Sequence, residues 1–156
     1  MIYAKKEADG NWSSNSEIQF PGSFPVMTSR EFPIFEILVF DELQGQWVEN
    51  SVLEAAYNTK KAQDDAVNLR IKKQGFGSLF MAKVIELNVA KFSAGQLTQT
   101  DRVNMDLNAT LQSIERAAWR GNLTTLKGLI QSYSGSYYTA DEKIALVALI
   151  DASGLV

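Results

Sequence analysis

The sequence predicts an α+β protein, with a small N-terminal β region at about residues 1–48 and a C-terminal helical bundle. The first observation behind this prediction is that all three prolines and two of the three tryptophans precede residue 50. The second is that the later residues are mostly good helix formers, divided by regularly spaced caps and glycines. We therefore expect a β-rich region at 1–49 and a helical region at 50–156.

Composition restricts the classes of function. The chain has 156 residues, of which 46% are hydrophobic and 21% charged, a balance typical of a globular domain with a core. Its net charge of −3 lacks the basic footprint that non-specific nucleic-acid binding needs, so no nucleic-acid partner is expected. No run of 18 apolar residues exists and residues 1–7 lack an apolar signal core, so we expect neither a membrane partner nor a signal peptide.

The residue types that usually carry catalysis or bind metals are scarce. The chain has no cysteine and no histidine, which removes disulfides, thiol nucleophiles, the usual general base and the commonest metal ligands. Adjacent carboxylates point about 100° apart on a helix and do not face each other. These pairs are Asp41 with Glu42, Asp64 with Asp65, and Asp141 with Glu142. We therefore expect no catalytic residues, no cofactor and no metal site, and a carboxylate-based hydrolase is the remaining enzymatic alternative.

The N-terminal region carries turn and strand signals. Gly10 and Gly45 each stand two residues before a tryptophan, in turns typical of the connections between strands. Residues 34–40, IFEILVF, predict one strand that is apolar on both faces. Because a short β region cannot cover both faces, we expect helices on one face and a second chain on part of the other face or at the edge.

The C-terminal region carries clear helix starts and stops. Ser51, Thr98 and Thr139 are each followed three residues later by an acid, the pattern of a capping box, and Asn122 is suited to cap a further helix. The expected stops are glycines that turn left-handed past a helix end, namely Gly95, Gly121, Gly135 and Gly154. The predicted helices are 51–74, 78–94, 99–120, 122–134 and 140–153.

Apolar spacing assigns a packing face to these helices. In the third predicted helix the stripe consists of Val103, Leu107, Leu111, Ile114 and Ala118, at steps of three and four. The last predicted helix is apolar on nearly every side. The first has a seam at heptad spacing, which consists of Val52, Ala55, Thr59, Ala62, Ala66 and Leu69. Because most of these residues are small, they permit close helix approach but bury little area each, so the seam predicts a weak coiled coil at best.

The stretch QGFGSLFM at 74–81 contains two glycines one residue apart. It lacks the third glycine of a dinucleotide fingerprint, where Phe80 stands, and no lysine follows either glycine as it does in a phosphate-binding loop. The basic run at 70–73 that precedes it is typical of a helix C-terminus. We expect a break or kink between two helices here; the alternative is a continuous helix that crosses another one closely.

Three segments resemble parts of small bacteriophage proteins. Residues 74–88 (QGFGSLFMAKVIELN) and 121–130 (GNLTTLKGLI) are similar to segments of small tail-associated proteins of bacteriophages. Residues 1–12 (MIYAKKEADGNW) resemble the short β starts of phage tail and tail-fibre accessory proteins. The resemblance implies a virion part or an assembly factor without catalysis, and it assigns no functional residue.

The expected function is therefore that of a non-enzymatic structural or assembly protein of a bacteriophage virion, in the tail, in the neck or at a fibre. Its expected partners are further copies of itself, as a homo-oligomer, and other virion proteins, and its expected location is the virion or the host cytoplasm during assembly. The alternative is a cytosolic adaptor or assembly chaperone that is not retained in a particle. The residues expected at protein interfaces are Phe35, Ile37, Leu38, Val39, Trp47, Val52, Ala55, Ala62, Ala66 and Leu69.

Overall fold

The computed structural model of the chain describes residues 1–15 and 18–156, and it confirms the predicted α+β class. In this part of the chain the strands are β1 (Ile2–Lys6), β2 (Trp12–Asn15), β3 (Phe24–Met27), β4 (Leu38–Asp41) and β5 (Gln46–Glu49). The helices are α1 (Ser51–Ser93), α2 (Gln99–Leu107), α3 (Ala109–Trp119), α4 (Leu123–Ser132) and α5 (Ala140–Ala152).

The chain divides into two compact units, Met1–Asp65 and Ala66–Val156, so that α1 contributes residues to both. The change of composition near residue 50 coincides with the passage from β5 to α1. The division between the compact units falls later, after Asp65, so the first turns of α1 belong to the first unit.

The first unit is built on a sheet with the strand order β2-β1-β3-β5-β4. β1 pairs antiparallel with β2 and β3, β4 pairs antiparallel with β5, and β3 and β5 pair in parallel. Gly10 and Gly45 adopt positive φ angles of 88° and 61° in two tight turns, because a residue without a Cβ enters this region at no steric cost. Both predicted turns are therefore confirmed, and each leads into a strand that holds a tryptophan, Trp12 in β2 or Trp47 in β5.

Aromatic rings fill the core of the first unit. The ring of Trp12 lies 5.1 Å from that of Phe35 and 4.7 Å from that of Trp47, measured between ring centroids. Trp47 also donates its indole N–H to the carbonyl of Ala4 across 3.1 Å, so its one polar atom is satisfied. These rings pack against a small aliphatic cluster contributed by three strands. The three rings are half-buried, and these contacts lie within the first unit.

The prediction of one strand at 34–40 is wrong. Phe35–Ile37 form a 3-10 helix and only the residues from Leu38 onwards belong to β4, which is an edge strand of the sheet. The carbonyl of Ile37 accepts the backbone N–H of Asn50 at 2.9 Å. This bond continues the register of β4 and β5, in which Leu38 lies opposite Glu49. The run turns before Leu38 because the N–H of Ile37 donates to the carbonyl of Ile34 at 3.2 Å, a 3-10 bond that a strand does not make. The apolar run is thus divided between a short helical turn and a four-residue strand.

α1 differs from its prediction at its start and in its interior. Asn50, rather than Ser51, caps the helix, because its Oδ1 accepts two backbone N–H groups of the first turn at 3.0 Å each. The expected break at Gly75 and Gly77 is wrong, because α1 continues through both residues without interruption. The alternative of a continuous helix with a close crossing is confirmed at Gly77, which lies against the backbone of α3.

The third predicted helix is in fact two helices. Asn108 ends α2 and caps α3, where its side chain accepts two backbone N–H groups of the first turn. Because the helix is interrupted at Asn108, the apolar periodicity does not carry across it. The predicted stripe is consequently wrong in its first half, where Val103 and Leu107 are exposed, and correct for Ile114 and Ala118, which are buried.

The other predicted helix caps are confirmed. Thr98 and Thr139 each make both hydrogen bonds of a capping box, with Asp101 and Glu142 as the acids. Asn122 caps α4 by accepting a backbone N–H in the first turn. These interactions join residues three positions apart, which is why the sequence alone predicts them.

Three of the four predicted stops are confirmed. Gly95, Gly121 and Gly154 have positive φ angles of 71°, 67° and 64° just past the ends of α1, α3 and α5. The prediction for Gly135 is wrong, because α4 already ends at Ser132 and Gly135 does not adopt a positive φ.

The core of the second unit is formed by α1, α3, α4 and α5. Its buried residues include Phe80, Val84, Ile114, Ala118, Leu126, Ile130, Leu146 and Ile150. No residue of α2 is buried. The last helix, α5, buries only Leu146 and Ile150 and leaves Ile144 and Leu149 exposed, although it is apolar on nearly every side.

Candidate functional site

The most unusual surface of the chain is a stretch of α1. All fifteen residues at 58–72 are exposed, although they form uninterrupted helix, and we call this stretch the exposed segment. It includes three large apolar side chains, Val67, Leu69 and Ile71, which are 56%, 46% and 59% exposed. Helices of globular proteins normally bury an apolar face against their own chain, and this segment buries none.

The amino acids of the exposed segment explain why it is helical. It contains neither glycine nor proline, and Lys60, Lys61, Ala62 and Gln63 are all good helix formers. Propensity alone gives only marginal helix over about 12–15 residues in water, since most helical stability in proteins comes from packing. The exposed segment, which is the interior of the 43-residue helix α1, therefore lacks within the described chain the packing that stabilises most helices in proteins.

Four residues of the predicted seam lie on one face of the exposed segment. Thr59, Ala62, Ala66 and Leu69 follow one another at steps of three, four and three residues, which keeps them on the same side of a helix. Phe80 continues this face, because it stands eleven residues, or about three turns, after Leu69. Phe80 is fully buried in the core of the second unit. The face of α1 that packs there therefore runs back along the exposed segment, where the described chain does not cover it.

Two further apolar side chains lie on the other side of the exposed segment. Val67 directly follows Ala66 in the helix, so it points about 100° away from it around the helix axis. Ile71 is four residues further on and lies next to Val67 on the same side. At heptad positions b and f, these two side chains lie on the side of the helix away from the seam, so the exposed segment has apolar side chains on both sides.

The interface residues predicted on α1 are all accessible. Val52, Ala55, Ala62, Ala66 and Leu69 are exposed, and they share the seam. The structure therefore brings this half of the predicted set together as one continuous surface of a single helix.

The interface residues predicted in the β region lie within the first unit. Phe35, Leu38 and Trp47 belong to one packed cluster. Ile37 is fully buried, and Val39 is half-buried in β4. These side chains take part in the fold of the first unit itself, so they do not extend the surface formed by α1.

The sequence does not predict a cleft that lies in the second unit. The cleft has a volume of about 630 Å³ and is lined by side chains of α1, α2 and α3 together with Tyr138. Asn88 donates to the hydroxyl of Tyr138 at 3.3 Å, and Oδ1 of Asn88 is buried with no donor among the described residues. Burial raises the pKa of Tyr138 more than the bond from Asn88 lowers it, so the phenol stays protonated at neutral pH. No local signal predicts this cleft, because its lining comes from separate elements.

A charge pair joins α1 to α5 in the second unit. Nζ of Lys91 lies 3.0 Å from Oε2 of Glu142 and donates to the carbonyl of Tyr137. It also stands 5.6 Å from the centroid of the Tyr138 ring. Burial raises the pKa of Glu142, but the N–H of Thr139 and the ammonium of Lys91 outweigh this and hold the pKa below its usual 4.5. Because partners inside the fold occupy both charges, we assign the pair a structural role.

Two other kinds of site are absent from the described residues. Across 1–15 and 18–156, no group of three or more His, Cys, Asp or Glu side chains is arranged to hold a metal ion. No helix in the same ranges is both long and apolar enough to cross a bilayer. Comparison of the chain with models of known protein families, with curated proteins and with solved structures gives no significant match.

Proposed function

We propose that the chain is a non-enzymatic structural or assembly protein that works as a homo-oligomer held together by α1. One observation carries the proposal: the fifteen residues of the exposed segment form helix, are all exposed and have a seam at heptad spacing. Heptad spacing allows two or more helices to keep their seams in contact over several turns. A second copy of the chain presents the same seam, so it is the natural occupant of this surface.

The residues of the seam set the expected strength of association. Burial of a side chain the size of valine or leucine contributes about 1.5–3 kcal/mol, whereas alanine contributes much less. Val52 and Leu69 are the large apolar residues of the seam, whereas Val67 and Ile71 lie on the side of the helix away from it and do not contribute. With so few large side chains in each copy, we expect reversible association that strengthens with concentration. Repeated copies in a larger assembly would add further contacts and so increase the avidity.

The resemblance of residues 1–12, 74–88 and 121–130 to small tail-associated bacteriophage proteins supports a place in a phage virion, in the tail, in the neck or at a fibre. Symmetric assemblies are built from repeated copies of one chain, so self-association through a single helix suits this role. The proposed partners are further copies of the chain and other virion proteins. The proposed location is the virion, or the host cytoplasm during assembly.

Sedimentation equilibrium of the whole chain tests the proposed oligomer. A monomer has a mass of 17.3 kDa, and we expect a defined multiple of it for the wild type. Leu69→Lys should dissociate the oligomer without unfolding the chain, because it places a charge on the seam at an exposed position. Asn68→Lys is the matched control, since Asn68 is the adjacent residue and is also exposed but lies off the seam. A wild-type chain that sediments as a monomer at every concentration contradicts the proposal.

Immunogold electron microscopy tests the virion assignment separately. In particles purified from a phage that encodes the chain, gold at one fixed position on the particle supports a structural role. Unlabelled particles from cells that contain the protein would contradict a virion part and would favour an adaptor or assembly chaperone that leaves before the particle is complete.

A further inference from the structure

Two charged residues flank the seam at positions that determine how neighbouring helices are oriented. With Ala66 and Leu69 at heptad positions a and d, Asp65 takes position g of one heptad and Arg70 takes position e of the next. Both residues are exposed. Neither takes part in an ion pair among the described residues. Each is therefore available to a charge of the opposite sign on a neighbouring chain.

A parallel arrangement brings these two charges together. In a parallel coiled coil, residue g of one helix lies beside residue e of the next heptad on its neighbour. In register, Asp65 of each copy then meets Arg70 of the other, and symmetry makes the pair occur in both directions. The preceding g and e residues are Asn58 and Gln63, which are uncharged. No like charges meet along the exposed segment in this arrangement.

The antiparallel arrangement that overlaps the two exposed segments most fully is less favourable for the same residues. When the two exposed segments run antiparallel, the a positions of one copy face the d positions of the other. Thr59 then lies opposite Leu69 of the other copy. The two-fold axis then brings Asp65 against Asp65 of the other copy, where the like charges repel each other. Arg70 faces Ala56 and gains no charged partner.

We infer that a second copy packs on the seam in parallel and in register, with Asp65 of each copy paired to Arg70 of the other. This inference rests on the proposed self-association, to which it adds orientation and register. It also names the partner, because a second copy supplies both partner charges at the matching positions. The N-terminal ends of the two α1 helices, at Ser51, then lie side by side.

Single cysteines report the orientation, since the chain has none of its own. In the parallel register the d positions face each other, so Leu69→Cys should form a disulfide with the same residue of the second copy. Oxidised glutathione is the oxidant and accepts the two hydrogens of the thiols. Asn68→Cys, on the outer side of the helix, is the matched control and should stay unlinked. In a mixture of Thr59→Cys and Leu69→Cys chains, disulfides should form only between like chains.

Charge reversal tests the pair itself. Asp65→Arg leaves arginine at both flanking positions, and Arg70→Asp leaves aspartate at both, so each variant repels itself in the parallel register. We expect the self-association of each variant to weaken about tenfold at low ionic strength, because attraction is replaced by repulsion in both directions. A mixture of the two variants regains the pair in both directions and should associate as the wild type does. Both effects should fade at about 1 M salt.

The outcomes separate the orientation from the self-association. Self-linked Leu69→Cys chains, together with recovery in the mixture of charge variants, support the parallel arrangement. Mixed disulfides between residues 59 and 69, with unchanged association of Arg70→Asp, would overturn the arrangement and leave the self-association standing. Absence of any association of the unmodified chain overturns both.

Discussion

Gly77 lies so close to Ala118 that a Cβ atom on the glycine would stand 1.9 Å from the carbonyl oxygen of Ala118. Side chains do not make contacts this short, so only glycine allows α1 to approach α3 at this point. Gly75, two residues earlier, has no neighbouring atom within 4 Å of the same position. The two glycines of QGFGSLFM therefore differ in role, and only the second one permits a close helix crossing.

We predict opposite effects for the two alanine variants. Gly77→Ala forces the backbones of α1 and α3 apart, and overpacking of this kind costs about 1–3 kcal/mol. Gly75→Ala should instead stabilise the chain by up to about 1 kcal/mol, because alanine is the better helix former and nothing obstructs its methyl group. Urea unfolding of the two variants measures the difference. Equal effects, or a fully tolerated Gly77→Ala, contradict the close crossing.

The pair formed by Lys91 and Glu142 predicts a pH dependence of stability. Burial raises the pKa of Glu142, but the bonds from Thr139 and Lys91 lower it more, so its folded pKa lies below 4.5. A lowered folded pKa means a contribution to stability that is present above pH 4.5 and is lost as the pH falls through the folded pKa. We expect Glu142→Gln to be less stable than the wild type at neutral pH and the difference to shrink in acid.

Urea unfolding at neutral pH and below pH 4.5 checks this expectation. Glu86→Gln is the control, because Glu86 pairs with Lys83 at 2.9 Å but both side chains are largely exposed. Exposed pairs contribute about 0–1 kcal/mol, so this variant should lose little stability. Equal losses in the two variants, or a loss from Glu142→Gln that persists in acid, would contradict the role assigned to the pair.

A lysine at two apolar positions of the first unit should have very different effects. Ile37 is 0% exposed, whereas Leu43 is 99% exposed. Ile37→Lys places an ammonium group in the interior without a partner, which costs several kcal/mol, so the first unit should lose its packing. Leu43→Lys should change the stability by about 0.5 kcal/mol or less. Near-ultraviolet circular dichroism of Trp12 and Trp47 reports the packing, and a native signal in Ile37→Lys would contradict the burial of this residue.

Asn108 should contribute measurably as the cap of α3. Because its side chain accepts two backbone N–H groups of the first turn, Asn108→Ala should cost about 1 kcal/mol. Asn104, four residues earlier and exposed within α2, provides the control, since Asn104→Ala should be neutral or slightly stabilising. Thermal unfolding compares the two, and a smaller loss for Asn108→Ala than for Asn104→Ala would rule out the cap.

Local interactions are the part of this fold that the sequence predicts well. The capping boxes at Thr98 and Thr139 join residues three positions apart, so a pattern of two residue types is enough to locate them. Asn108 has the residue type of a cap as well, but the apolar periodicity that spans it favours one long helix. When a cap residue interrupts a periodic apolar stripe, the stripe alone does not predict where the helix ends.

The remaining features depend on contacts between distant residues. The role of Gly77 is set by Ala118, forty-one positions later, and nothing within QGFGSLFM distinguishes it from Gly75. The pairing of β4 with β5 depends on contacts such as that of Leu38 with Glu49, eleven positions later. Sequence patterns contain no direct signal for either contact.

The sequence predicts the heptad pattern of the candidate site, but it does not predict that the site is exposed. Heptad spacing alone predicts the seam from Val52 to Leu69. Only the structure places Ile37 and Leu38 in the interior of the first unit while residues 58–72 stay uncovered by the described chain. The cleft beside Asn88 has no sequence signature, since it forms only when several helices come together.

Amide hydrogen exchange along the exposed segment tests most directly the central claim that copies of the chain cover one another through α1. Residues 58–72 have no cover from their own described chain, so in a monomer this part of the helix should open readily. We predict that exchange in this segment slows as the protein concentration rises, and that Leu69→Lys abolishes this dependence while exchange in the core helices is unchanged. Exchange that is fast at every concentration in the wild type, or equally slow in Leu69→Lys, would contradict the claim.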